Sequence, residues 1–254
     1  MAVVVDAVVF PDVGNYKDCR TERHRSVFDA IGLPGGSVDF AAARANMVDC
    51  QLRTNKVTDL RVLYSFETVP REDFVPEARR SIAYVDEDLE IAPGRYLIEP
   101  MVSARLVQAA AIGPDDVVLE IGGGSGYGSA ILSHLAATVV ALESDRDLAG
   151  LAAAAHGGLG IDNVLAVDGA LHDGYPKQAP YSVIVINGAV AEVPAAITDQ
   201  LADGGRLVCV IREESGPGRA TLMQRSGTVV SSRVLFDAGT PLLPGFERVP
   251  GFVF

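Results

Sequence analysis

The stretch V-V-L-E-I-G-G-G-S-G-Y, residues 117–127, decides how the chain is read. An aliphatic run broken only by Glu120 ends in Gly122, Gly123, Gly124 and Gly126 around Ser125. The run suits a buried parallel strand and is too short for a helix. A helical pattern over residues 129–137 follows at once. Strand, glycine turn and helix start form the ligand-binding corner of doubly wound α/β folds. Glycine permits positive φ there and lets a ligand approach backbone that a Cβ would shield.

Two common fingerprints fail. G-x-G-x-x-G needs glycine at position 127 or 129, where Tyr127 and Ser129 stand. The P-loop needs lysine after Gly128, and Ser129 follows. A nicotinamide or flavin cofactor therefore loses its main support. What remains is E-x-G-x-G-x-G, formed by Glu120, Gly122, Gly124 and Gly126. It resembles the S-adenosylmethionine loop of class I methyltransferases.

Downstream, a βα rhythm is regular. Strands are expected over 138–142, 164–167, 183–186 and 206–211, ending or followed by Glu143, Asp168-Gly169, Asn187-Gly188 and Ile211. Helices are expected over 148–155 and 193–201. Residues 228–236 and 248–254 read as a closing antiparallel pair. The expected fold is α/β, a doubly wound, mostly parallel seven-stranded sheet of Rossmann-like type with an N-terminal helical cap.

Three regions are expected: 1–38, an extension; 39–113, a helical cap and substrate region; and 114–254, the cofactor domain. In the cap, Asp39 is a candidate N-cap, and Ala43, Met47, Cys50 and Leu52 form an apolar stripe. Thr58 or Asp59 caps the next helix, which carries Val62, Leu63 and Phe66 on one side. Pro100 opens a helix over 101–112. For residues 1–38 a docked element, an arm and an overlong translation start stay open.

The chain has 254 residues, 48% hydrophobic, with a formal net charge of -12. Such a charge repels phosphate backbones, so nucleic acid is not expected as a partner. No apolar run reaches the ~18 residues of a membrane span. Cys19, Cys50 and Cys209 are odd in number and far apart, which suits reduced thiols in the cytoplasm. His24, His134, His156 and His172 show no metal-ligand spacing, and no metal is expected.

The acidic strand ends carry the cofactor reading. Glu143 follows the first glycine by about 20 residues, the spacing at which a carboxylate accepts both ribose hydroxyls of a nucleoside. Asp168 ends the next strand and can accept the amino hydrogens of an adenine. Glu120 is expected near the methionine ammonium, and Asn187, at the fourth strand end, is expected among the cofactor-binding residues.

Beyond these motifs, the chain resembles the protein-L-isoaspartate O-methyltransferases from about residue 45 to 211. N-M-V-D-C-Q-L-R (46–53), V-P-R-E-D-F-V-P (69–76) and A-Y-V-D-E-D-L (83–89) are similar to that family's N-terminal portion. A-P-Y-S-V-I-V-I-N-G-A (179–189) and Q-L-A-D-G-G-R-L-V (200–208) are similar to its later strands. The resemblance implies that Gly122, Gly124, Ser125 and Gly126 line S-adenosylmethionine. It implies that Glu143 holds the ribose and that Asp168 with Gly169 faces the adenine. It implies isoaspartyl residues in proteins or peptides as the substrate.

One segment departs from the family. Its G-Q-T-I-S-Q-P type stretch contributes an active-site serine, and here it reads G-R-Y-L-I-E-P (94–100). Ile98 stands at the serine, Tyr96 at the threonine and Arg95 at the first glutamine. A carboxylate acceptor is ionised at neutral pH and needs no general base. Arg95 and Tyr96 are therefore the candidates for holding an anionic acceptor, since arginine clamps a carboxylate through two parallel hydrogen bonds. Two alternatives stay open: a cofactor-binding protein that has lost catalysis, suggested by Ile98, and a methyltransferase with another acceptor.

Overall fold

The computed structural model describes residues 38–212 and 216–247. Seven strands form the main sheet: β3 (Val117–Ile121), β4 (Thr138–Glu143), β5 (Val164–Asp168), β6 (Tyr181–Val190), β7 (Leu201–Ile211), β8 (Gly218–Ser226) and β9 (Val229–Ala238). Their spatial order is β5-β4-β3-β6-β7-β8-β9. The first five are parallel and the last two antiparallel. The chain leaves β3 toward β4 and β5 on one side and returns to β6 on the other. The glycine turn after β3 thus lies at the reversal of strand order, where ligands bind in open α/β sheets.

Neighbouring residues in each central strand point to opposite faces. Val118, Val139, Val183, Val185, Val208 and Val210 join one core, with helix α3 (Pro100–Ala110) and the cap. Leu119, Ile121, Val140, Leu142, Ile184, Ile186, Leu207 and Cys209 join the other, with Ile197, Leu243 and Phe246. A sheet covered on both faces explains why these strands read as continuous apolar runs. Cys209 is a buried member of this second core.

The cap begins with α1 (Phe40–Asn46), where Asp39 accepts from the Ala42 amide at 3.0 Å. Met47–Leu52 then forms a π-helical turn. That wider turn changes the phase of the expected stripe: Met47, Val48 and Leu52 are buried and Cys50 is exposed. In α2 (Leu60–Thr68) Asp59 is the N-cap, and Val62, Leu63 and Phe66 are buried. Gln108 of α3 accepts from the Thr58 and Asp59 amides at 2.7 and 2.9 Å, tying α2 to the sheet side. Cap and sheet share one core, so the boundary expected at residue 113 falls at a turn rather than at a break in packing.

β9 pairs antiparallel with β8; the partner expected for it, residues 248–254, lies outside the described residues, as do residues 1–37. β8 is hard to read because G-R-A-T-L-M-Q-R-S buries Gly218, Ala220 and Thr221 but breaks period-2 alternation. One expectation is corrected: the helix expected over 193–201 is only four residues long (Ala195–Thr198), because Leu201 already pairs with Tyr181 as the first residue of β7.

Arg71 is the pin between cap and sheet. It is fully buried, donates to the carbonyls of Ala83 and Ile98 at 2.8 Å each, and lies 4.9 Å over the Tyr127 ring. Burial lowers its pKa, opposed by Tyr127, Tyr84 and Asp88. Methionine would fill the volume but leave both carbonyls unpaired. We expect Arg71→Met to cost about 2–4 kcal/mol in urea unfolding; an unchanged midpoint would remove Arg71 from this role.

Candidate active site

Two hollows flank the glycine loop and share Gly123 and Gly124. The larger, ≈ 170 Å³, is lined by Ala141, Glu143, Ala149, Ala152, His156, Ala166 and Asp168, with Gly126 and Ser129. Its small side chains leave flat space beside two strand ends. In the β4–β5 register Glu143 and Asp168 are direct partners, so both carboxylates arise on the same row of the sheet. The smaller, ≈ 20 Å³, is lined by Ile91, Tyr96, Leu97, Ile98, Ser103, Tyr127, Gly128 and Asn187. Tyr96 belongs to a separate hairpin of β1 (Leu89–Ala92) and β2 (Arg95–Leu97).

The loop is built for close approach. Gly122, Gly124 and Gly126 have φ of 77, 57 and 95°, left-handed values that favour glycine. At Gly126 a Cβ would lie 2.7 Å from His156 Nε2 and 2.8 Å from Ala152 Cβ. Gly126 also precedes helix α4 (Tyr127–Ser133), whose Tyr127 and Gly128 line the smaller hollow and whose Ser129 lines the larger.

Each expected residue has a definite place. Glu143 is buried and forms a bidentate ion pair with Arg95, at 2.6 and 2.5 Å. The Gly124 amide donates to it at 2.7 Å, Ser144 at 2.7 Å and Asp145 at 2.9 Å. Burial alone would push this carboxyl up; Arg95 and the amides of Asp145 and Gly124 outweigh burial and hold it below the usual range. Asp168 is exposed at the rim, with Arg146 at 3.4 Å. Gly169 donates to the Glu143 carbonyl at 3.3 Å and does not line the hollow. Asn187 lines the smaller hollow, and its amide donates to Glu120.

Three placements differ from expectation. Glu120 does not line either hollow; it is fully buried behind Gly123 and Gly128, and its Oε2 has no hydrogen-bond partner. Ser125 turns away, donating its hydroxyl to the Phe74 carbonyl of the cap at 2.5 Å. Arg95 is not a free clamp facing an acceptor, since its guanidinium is spent on Glu143. Ile98 is buried at the edge of the smaller hollow and offers no side-chain hydrogen bond.

Sequence reasoning missed three residues. His156 approaches the loop from α5 (Arg146–Leu159), its Nε2 2.9 Å from the Gly126 carbonyl. Ser103 brings a hydroxyl to the smaller hollow from α3. Leu243 packs where a Cβ at Gly122 or Gly188 would stand, 2.9 and 2.8 Å away. Helical or strand periodicity marks none of them, because each reaches the loop from a distant segment.

A parallel sheet with a glycine corner at its reversal and acids on the next two strand ends defines a class I methyltransferase using S-adenosylmethionine. The family model for protein-L-isoaspartate (D-aspartate) O-methyltransferase matches residues 43–236, and the chain belongs to that family. It is 43% identical over 169 residues to the protein-L-isoaspartate O-methyltransferase of Koribacter versatilis (strain Ellin345), covering 66% of this chain and 76% of that protein. A solved protein-L-isoaspartate O-methyltransferase superposes with TM-score 0.71 at 27% identity, covering 80% of this chain and 66% of that one. A second, from Plasmodium falciparum with S-adenosyl-L-homocysteine, gives TM-score 0.68 at 18% identity, covering 82% and 99%. Among the described residues no helix is long and apolar enough to cross a membrane.

The residues fit an adenosyl group at the base and at the loop, where small side chains, Asp168 and the bare glycines leave room. At the ribose they fit only if Arg95 gives way.

Burial raises the Glu120 carboxyl to about 7, against the pull of Ser129 and Asn187, while Glu143 adds to the rise. The folded protein therefore binds this proton more tightly than the unfolded chain. The stabilisation is complete below the unfolded value and is lost as pH rises through about 7. We expect Glu120→Gln to gain stability relative to the parent between pH 5 and pH 8, by on the order of 2–3 kcal/mol. Parallel pH profiles in urea would refute that burial effect.

Proposed function

We propose that this chain transfers the methyl group of S-adenosylmethionine to the side-chain carboxylate of isoaspartyl residues in proteins or peptides, in the repair of aged protein. The observation that carries this is the register pairing of Glu143 with Asp168 beside the glycine turn. It offers two anionic acceptors spaced for the sugar and base of one nucleoside. The cytoplasmic location read from the cysteine pattern is part of the same proposal.

The cofactor supplies a methyl carbon already activated by a sulfonium. Bound there, it would allow in-line displacement by an acceptor carboxylate, the sulfonium leaving as a thioether and the acceptor becoming an ester. No proton moves, so the chain needs no general base. Its work is alignment and exclusion of water. Asp168 accepts from the adenine amino group, and Glu143 from the ribose. Asn187 faces the methionine end, with Glu120 behind it. Ile91, Leu97, Ile98 and Leu243 keep water from the loop.

Methyl transfer to an isoaspartyl peptide and to its ordinary aspartyl twin tests this reading. We expect labelled ester on the isoaspartyl peptide alone. Cofactor binding without methylation of either peptide would favour the lapsed, partner-acting reading that Ile98 suggests.

Asp168 is exposed, so its variant separates binding from folding. We expect Asp168→Ala to weaken S-adenosylhomocysteine about tenfold with little change in Tm, the worth of a hydrogen bond to a charged acceptor. Equal affinity in calorimetry would move the adenine elsewhere.

A further inference from the structure

The ion pair at the ribose position rests on the methyl-transfer reading above for its meaning. We propose that Arg95 is an exchangeable counter-ion: it holds Glu143 until the cofactor's ribose takes that carboxylate, and the released guanidinium then binds the acceptor's carboxylate, so that the cofactor enters first.

Six donors already reach the Glu143 carboxylate: two from Arg95, the amides of Gly124, Ser144 and Asp145, and the Ser144 hydroxyl at 3.4 Å. A carboxylate offers roughly four lone-pair positions. A ribose diol therefore cannot be received while the guanidinium stays. The three amides are fixed by β4, the glycine loop and the cap of α5. Arg95 alone among these donors sits on a long side chain that can leave.

Its mounting suits the exchange. β2 has three residues and pairs with β1, outside the seven-stranded sheet. The register of that hairpin is already irregular between Glu90 and Ala92, and Gly94 turns it at φ 70°. A shift of the hairpin breaks no ladder of the main sheet.

Release leaves a guanidinium in need of an anion. A buried cation without a partner costs several kcal/mol, and a neutral diol supplies no charge in return. Arg95 precedes Tyr96, Leu97 and Ile98, which line the smaller hollow across the glycine loop from the one holding Glu143 and Asp168. The nearby loop and the start of α3 carry Asp86, Glu87, Asp88 and Glu99; burial raises the Glu99 carboxyl, and repulsion by Asp88, Asp86 and Glu87 raises it further. An incoming carboxylate needs a cation in such surroundings, and Ile98 gives it no hydrogen bond. Charge at position 95 thus takes over the recognition that the family's neutral glutamine and serine provide.

Arg95→Gln, which restores the family residue, tests this in two directions at once. We expect S-adenosylhomocysteine to bind about tenfold tighter by calorimetry, because no ion pair competes for Glu143, and the KM of an isoaspartyl peptide to rise about tenfold at saturating cofactor, more than kcat falls. A merely structural arginine would weaken both ligands together. Weaker or unchanged cofactor binding, or an unchanged peptide KM, overturns the proposal. Arg95→Lys keeps the charge without the fork, and we expect it to shift both constants the same way by less; should the glutamine variant not fold, the lysine variant decides by the same signs. If the parent protein binds no S-adenosylhomocysteine at all, the methyl-transfer reading fails instead. If it binds and methylates but the two constants do not move oppositely, only the exchange fails.

Discussion

A strand flanked on both sides by parallel neighbours and covered on both faces has nowhere to put charge except its ends. β3 is in that position, between β4 and β6, and its neighbours share the constraint. Polar chemistry is thereby driven to the carboxyl edge of the sheet, where Glu143, Asp168 and Asn187 emerge. The reversal of strand order opens the crevice at that same edge. Cap, hairpin and helices then serve to wall a site whose location the sheet has already imposed. Glu120 is the exception that shows the rule's strength: a carboxylate inside β3, it is held close to neutrality by burial.

Much of this framework was legible in the residues. Five parallel strands follow from aliphatic runs; Glu143 and Asp168 close β4 and β5, and Asn187 stands where β6 stops pairing with β3. Burial on both faces writes that composition in the central strands, whereas β5 is aliphatic at a largely exposed edge. The caps at Asp39 and Asp59 were legible for a local reason, a side chain reaching an amide two or three residues on. β8 was not, since its mixed face interrupts the alternation. The π-helical turn at Met47–Leu52 was not, since it changes the period that the reading assumes.

The site was legible as a set of positions and less so as a set of contacts. Glycine spacing and strand ends locate Gly122, Gly126, Glu143 and Asp168 along the chain. They do not say that Glu143 meets Arg95 across 48 residues, nor that Ser125 faces Phe74. Those partners come from β2 and the cap, elements whose docking is decided by shape. The departure of G-R-Y-L-I-E-P from the family pattern was visible at once. Its physical meaning required seeing where the guanidinium goes.

The segment around Leu243 carries a consequence for how the molecule is made. Its backbone pairs with Ala189, and its side chain closes over Gly122 and Gly188. It lies beyond residues 43–236, which the family shares. During synthesis this wall leaves the ribosome after the seven described strands of the sheet, since domains assemble from the amino end. The nascent chain can therefore pair those strands before its pocket is walled.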